Sequence, residues 1–274
     1  MKFGICNELF EGWEFSRIFQ TAREIGYDGV EISPFTLGTD PAETDFSILP
    51  SIRKQAEDAG IEIIGLHWLL AKTEGFHLTV ADESVRGRTV DLLIQRVRTC
   101  AALGGKVMIW GSPQQRSLTP GVSYEQAWEY AASGLGQVAK VLEKEGIVFC
   151  IEPLGPEETD FINTADEAWK LAQAVGSPNI KIILDVKAMS TEPRPVSDTI
   201  RMHADHAGHV HANDPNRRGP GFGDVDFVPI MQALKDVKYG GWVSVEVFDF
   251  KPDPVTIARQ SLANMQNCLS GGNR

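Results

Sequence analysis

The chain has 274 residues, 42% of them hydrophobic, and a formal net charge of −11. That apolar content supports a substantial core, while the negative charge argues against a protein that grips nucleic-acid phosphates through a broad basic face. No run approaches the ~18 apolar residues of a membrane span, and the start, Met1-Lys-Phe-Gly-Ile-Cys-Asn7, lacks a signal peptide's apolar stretch. A soluble, cytoplasmic protein without nucleic-acid or membrane partners is expected. Cys6, Cys100, Cys150 and Cys268 lie far apart with no C-x-x-C pair, so buried thiols are expected rather than a zinc ribbon.

Along the chain, short apolar or β-branched runs alternate with longer helix-like segments. The runs are 2–6, 29–33, 61–67, 106–110, 147–152, 181–185, 209–211 and 242–247. Their strongly apolar character fits strands buried on both faces of a parallel sheet. Helices are expected over 15–25, 46–59, 84–103, 124–145, 165–174, 197–204, 228–237 and 255–269. Asp82, Ser123 and Thr164 read as N-caps, and Gly26, Gly60, Gly104, Gly146 and Gly176 as C-terminal stops.

Eight strand–helix units predict an α/β fold, a single-domain (β/α)8 TIM barrel over residues 1–269, with a doubly wound sheet as the alternative. Residues 270–274, Ser-Gly-Gly-Asn-Arg, are expected to form a disordered tail. In such a barrel the active site lies at the C-terminal ends of the strands. Those ends carry Glu31, His67-Trp68, Trp110, Glu152, Asp185, His211 and Glu246.

Glu152, Asp185 and Glu246 each interrupt apolar sequence. A buried lone carboxylate costs several kcal/mol unless paired or metal-bound. Salt bridges to lysine or arginine are one solution. A divalent cation is the other, and it also relieves the repulsion among three acids. Three oxygens and one imidazole, from His211, suit Mn²⁺, Mg²⁺ or Co²⁺ in octahedral geometry with two positions open; Zn²⁺ with fewer ligands is an alternative.

These landmarks resemble the xylose-isomerase-like TIM barrels, especially sugar epimerases/isomerases of the D-tagatose and D-psicose 3-epimerase type. The resemblance rests on Glu31-Ile-Ser, Glu152-Pro-Leu with Glu158 six residues on, the Leu184-Asp185 strand end, Gly208-His-Val-His211 and Tyr239-Gly-Gly-Trp-Val-Ser-Val-Glu246. Arg217, followed by Pro220-Gly-Phe-Gly223 and Asp226-Phe227, matches the family's loop after strand seven.

The resemblance implies that Glu152, Asp185, His211 and Glu246 bind one divalent metal ion, with Mn²⁺ favoured. It implies that Glu152 and Glu246 are the catalytic acid/base pair, and that Glu158 and Arg217 hold substrate hydroxyls. The implied reaction moves a proton beside a ketose carbonyl through a metal-stabilised enediolate, one glutamate on each face. A small sugar or sugar derivative is the expected partner. Similar proteins are dimers or tetramers.

One position departs from the pattern: Ala188 stands where the family carries a substrate-contacting histidine. Alternation turns the neighbouring Lys187 to the same side as Asp185, as a substitute donor or a loop lysine paired with an acid. His67 is expected to contact a sugar hydroxyl, with Trp68 and Trp110 as walls of the pocket; barrel-rim packing is the alternative for each. Glu31 is expected to orient a ligand, and His209 to lie one layer deeper than His211. His77, His203 and His206 receive no role, and Gly221-Phe-Gly223 reads as a turn rather than a dinucleotide motif.

Two other functions share these residues. An enediolate with an adjacent leaving group can eliminate it, which would make a dehydratase or lyase acting on 3-keto-glycosides or inososes. A carbohydrate-binding barrel without catalysis is the non-enzymatic alternative. A three-zinc nuclease needs more histidines than the strand ends supply.

Overall fold

A computed structural model of the chain describes residues 1–271. The strands are β1 (Lys2–Cys6), β2 (Gly29–Ile32), β3 (Glu62–Leu66), β4 (Val107–Trp110), β5 (Val148–Ile151), β6 (Ile180–Asp185), β7 (Ala207–Ala212) and β8 (Trp242–Val245). They close in sequence order into a barrel, β8 pairing parallel with β1. This is the (β/α)8 TIM barrel expected from the eight units, and the doubly wound alternative is set aside.

Period-two alternation divides each strand between two layers. Ile64, Val107, Ile109, Cys150 and Ile183 fill the barrel interior as a separate cluster. Their neighbours Met108, Trp110, Phe149, Ile151, Ile182 and Leu184 join the larger core under the helices. At one point the strands approach so closely that only glycine fits: a Cβ on Gly65 would stand 1.7 Å from the Val107 carbonyl oxygen. All four cysteines are buried, and none forms a disulfide among the described residues.

The outer layer comprises α1 (Phe15–Ile25), α2 (Leu49–Ala59), α3 (Glu83–Leu103), α4 (Tyr124–Glu145), α5 (Ala165–Val175), α6 (Val186–Met189), α7 (Val196–His203), α8 (Phe227–Asp236) and α9 (Pro254–Leu269). The expected caps are present. The Asp82 side chain accepts from the Ser84 and Val85 amides. Ser123 with Gln126, and Thr164 with Glu167, form reciprocal capping boxes. No described helix is long and apolar enough to cross a membrane.

Several boundaries differ from expectation. Helix α2 begins at Leu49 rather than Phe46, with Pro50 in its first turn, where a missing amide costs nothing. Strands β3, β5 and β8 stop short of His67, Glu152 and Glu246. Their amides still continue the inter-strand pattern, donating to Ile32, Trp110 and Ala212 at 3.3, 3.2 and 3.4 Å. The short α6 was not foreseen. Asp185 ends its strand and caps this helix at once, its Oδ1 accepting from the Ala188 amide at 2.7 Å. Of the expected tail, the Ser270 amide still donates to the Gln266 and Asn267 carbonyls; residues 272–274 lie outside the described residues.

Candidate active site

Strands β5 to β8 bring four side chains to one point at the C-terminal mouth. Ligand atoms of Glu152, Asp185, His211 and Glu246 all lie within 4.8 Å of one another. The four residues are 3%, 0%, 0% and 1% exposed, so their charges are shielded from water rather than from each other. His211 Nδ1 is 3.2 Å from Glu246 Oε2 and 3.9 Å from both Glu152 Oε1 and Asp185 Oδ2. It has no aligned hydrogen-bond partner.

The other side of the His211 ring is anchored. Nε2 faces Glu31 Oε2 at 3.3 Å, while Glu31 Oε1 lies 2.7 Å from His209 Nε2. Burial alone would raise the Glu31 pKa, but the two histidines outweigh it and hold the carboxyl well below its ordinary range. An ionised Glu31 accepts a hydrogen bond from Nε2–H, so that Nδ1, once a cation displaces its proton, would turn its lone pair toward the three carboxylates. That is the orientation of a metal-ligating histidine steadied by a carboxylate behind it. The donor set therefore fits a divalent cation. Glu31→Gln is expected to weaken Mn²⁺ binding by about 10- to 100-fold, measured by titration calorimetry. An unchanged affinity would remove Glu31 from the site.

Without a cation the acids oppose one another. Burial, then Glu246 and Asp185, push Glu152 well above the ordinary carboxylate range. Asp185 is also raised, chiefly by burial. Glu246 is lowered despite burial because His211 faces it. Glu152 sits against Gly111, where a Cβ would fall 1.5 Å from Oε2; any larger residue would displace the carboxylate.

A cavity of about 420 Å³ opens at two of the four candidate ligands, Glu152 and Glu246, and is lined also by Trp68, Ser112, Glu158, Arg217 and Phe248 among others. Glu158 and Arg217 thus reach the cavity. Lys187 meets the same group through Glu158, Nζ donating to Oε2 at 2.5 Å. Burial works against the Lys187 charge, but Asp185, Glu158 and Glu246 hold its pKa above the ordinary value. Lys187 is thus paired with an acid, Glu158. Ala188 is buried, does not line the cavity, and contributes its amide to Asp185.

Two residues expected at the substrate, Trp110 and His67, do not line the cavity. Trp110 is fully buried and points outward, because Val107 and Ile109 take the inward positions of β4; the Arg116 guanidinium lies 5.2 Å from its ring centre. His67 is also fully buried. Its Nε2 is 2.6 Å from Glu8 Oε2 and 2.9 Å from Ser33 Oγ, below the cavity floor. His203 and His206 lie outside the cavity lining, His203 beside Asp166 at 2.8 Å and His206 stacked on Trp169 at 3.7 Å.

Sequence reading passed over Asn213 and Phe248. Asn213 Nδ2 donates to Asp185 Oδ2 at 2.6 Å and reaches Glu246 Oε2 at 3.3 Å, and its Oδ1 accepts from the Lys187 amide. Both residues stand two positions beyond a ligand, His211 and Glu246. Continued alternation past the strand end was the signal that could have found them.

With this geometry in hand, the chain was compared with known proteins. It is 29% identical over 255 residues to D-psicose 3-epimerase of Ruminiclostridium cellulolyticum, covering 90% of this chain and 84% of that enzyme. It is 25% identical to 3-dehydro-D-guloside 4-epimerase of Escherichia coli, covering 98% and 100%. A crystal structure of D-psicose 3-epimerase in the presence of D-fructose superposes with a TM-score of 0.85 at 26% identity, covering 99% of this chain and 100% of that one. The model of the xylose isomerase-like TIM barrel matches residues 19–268, and the chain belongs to that family.

Proposed function

We propose that this protein is a divalent-metal-dependent sugar epimerase that inverts a carbon beside a ketose carbonyl, with Glu152 and Glu246 as the acid/base pair. The observation that carries the reading is the pair itself. Two buried carboxylates, just past the ends of β5 and β8, border one cavity and lie within 4.8 Å of a histidine and a third acid. Simple sugar binding does not need two such groups, which disfavours a non-catalytic barrel. Glu152, Asp185, His211 and Glu246 would hold the metal; oxygen-rich donors favour Mn²⁺, with Co²⁺, Mg²⁺ and Zn²⁺ as alternatives. When bound, the cation would polarise the carbonyl and neutralise developing negative charge.

The chain's own groups carry the proton. One glutamate takes it from the carbon beside the carbonyl, leaving an enediolate. The opposite glutamate delivers a proton to the other face, since a single base would return it to the face it came from. Glu158, steadied by Lys187, and Arg217 offer an acceptor and a donor to substrate hydroxyls. Relatives acting on free ketoses and on a keto-glycoside are both named epimerases, which supports reprotonation over elimination by a dehydratase or lyase.

The test is incubation of the Mn²⁺-loaded protein in D₂O with free ketoses and 3-keto-glucosides. Deuterium is expected at the carbon beside the carbonyl, together with the epimer. Absence of exchange across the panel would sink the reading; loss of water from the substrate would convert it to the lyase.

A further inference from the structure

We infer that Trp68 is the positioning residue for Glu246 and makes the two glutamates unequal, an inference that rests on the acid/base reading above. The Trp68 indole Nε1 donates to Glu246 Oε1 at 2.7 Å. A hydrogen bond to an ionised acceptor is among the stronger ones, and it fixes direction as well as distance. Glu246 Oε2 points the other way, 3.2 Å from His211 Nδ1 and 3.3 Å from Asn213 Nδ2. Both oxygens of Glu246 are therefore assigned. Glu152 differs: among the described residues no side-chain hydrogen bond reaches its carboxylate, although it borders the same cavity. One member of the pair is held by a directed side-chain hydrogen bond and the other is not.

The surroundings of Trp68 show that its placement is imposed. Its backbone is left-handed, with φ of 52°, a conformation that costs free energy for a bulky residue and persists only where neighbours enforce it. The indole stacks on Phe248 with ring centres 5.6 Å apart and planes 17° from parallel. Phe35 and His67 pack on it at 6.0 and 5.9 Å. The ring thus has little freedom, and its N–H is aimed at a carboxylate on the opposite side of the barrel mouth, between the loops that follow β3 and β8. None of this packing requires a nitrogen: a phenyl or all-carbon bicycle would satisfy the same contacts. The N–H accounts for the Glu246 contact alone.

Two consequences separate this role from a structural one. If Trp68 directs Glu246, losing the N–H impairs proton transfer on one face of the substrate only. The enediolate can still form through Glu152 and be reprotonated by it. Exchange without inversion then becomes the main outcome from the epimer whose proton Glu152 removes.

The experiment uses the Mn²⁺-loaded protein with each of two ketose epimers in D₂O. Two variants are compared: Trp68→Phe, and replacement of Trp68 by 3-benzothienylalanine, which keeps the bicyclic shape and lacks the N–H. The expected result is a fall in kcat of about 10- to 100-fold with KM little changed. The ratio of exchange to inversion should rise from one epimer, both processes should fall from the other, and Mn²⁺ affinity should match the wild type. An equal loss from both epimers, an unchanged kcat in the benzothienyl variant, or a fall in Mn²⁺ affinity that parallels kcat would overturn the inference. A wild-type protein without any exchange would instead overturn the epimerase reading and this role with it.

Discussion

Glu152→Gln and Glu246→Gln are each expected to reduce epimerisation by about 10²- to 10⁴-fold or more, since on the proposed reading each would remove a general acid/base and a metal donor together. The two variants should not behave alike in stability. In the metal-free protein, Glu152 is penalised in its ionised form by burial and by two neighbouring carboxylates, and no side-chain hydrogen bond among the described residues is lost when it becomes an amide. Glu152→Gln should therefore raise the melting temperature by about 2–4 °C at pH 7, the shift that ~1 kcal/mol produces in a domain of this size. Glu246 accepts from Trp68 and faces His211, so Glu246→Gln should lower it. Calorimetric scans of the chelated proteins check this. A lower melting point for Glu152→Gln would show that the four-residue site is not strained without metal.

The second large effect is on metal binding and its pH dependence. Chelation is expected to abolish exchange and Mn²⁺ to restore it. In the metal-free protein burial opposes a charged His211, yet Glu246 and Glu31 hold its pKa well above the ordinary 6.5. Glu152 is likewise raised by burial and its acidic neighbours. A cation must displace these protons. Mn²⁺ affinity should therefore climb as pH rises above about 6.5, with proton release detectable as a buffer-dependent binding enthalpy. Stability has the opposite sign without metal. The contribution of protonated His211 is complete below 6.5 and is lost as pH rises through the elevated folded value. Glu152 follows the same direction, so the chelated protein should melt lower at alkaline pH while the Mn²⁺-loaded protein should not. An affinity flat from pH 6 to 9 would contradict the proton competition.

Much of this architecture was legible in the chain. Eight apolar runs, each followed by a helical segment and most of those helices bounded by a polar N-cap or a glycine stop, leave few folds other than a closed parallel barrel. Once the barrel is granted, strand ends and active-site face coincide, which placed Glu152, Asp185, His211 and Glu246 within reach of one another. The carboxylates stood out because acids inside apolar runs need a partner.

The rest depended on three-dimensional contacts between residues far apart in sequence. The direction of Trp110 followed from which alternate positions of β4 face inward, and a four-residue strand leaves that phase open in sequence. The burial of His67 against Glu8, and the union of Lys187 with Glu158, join loops whose relative height is set by strand stagger. The sharpest case is Trp68 and Glu246, 178 positions apart. A tryptophan at a strand end announces a hydrophobic wall. Only closure of the barrel, which lets the loop after β3 reach across the mouth to the residue after β8, turns its N–H into a hand on the Glu246 carboxylate.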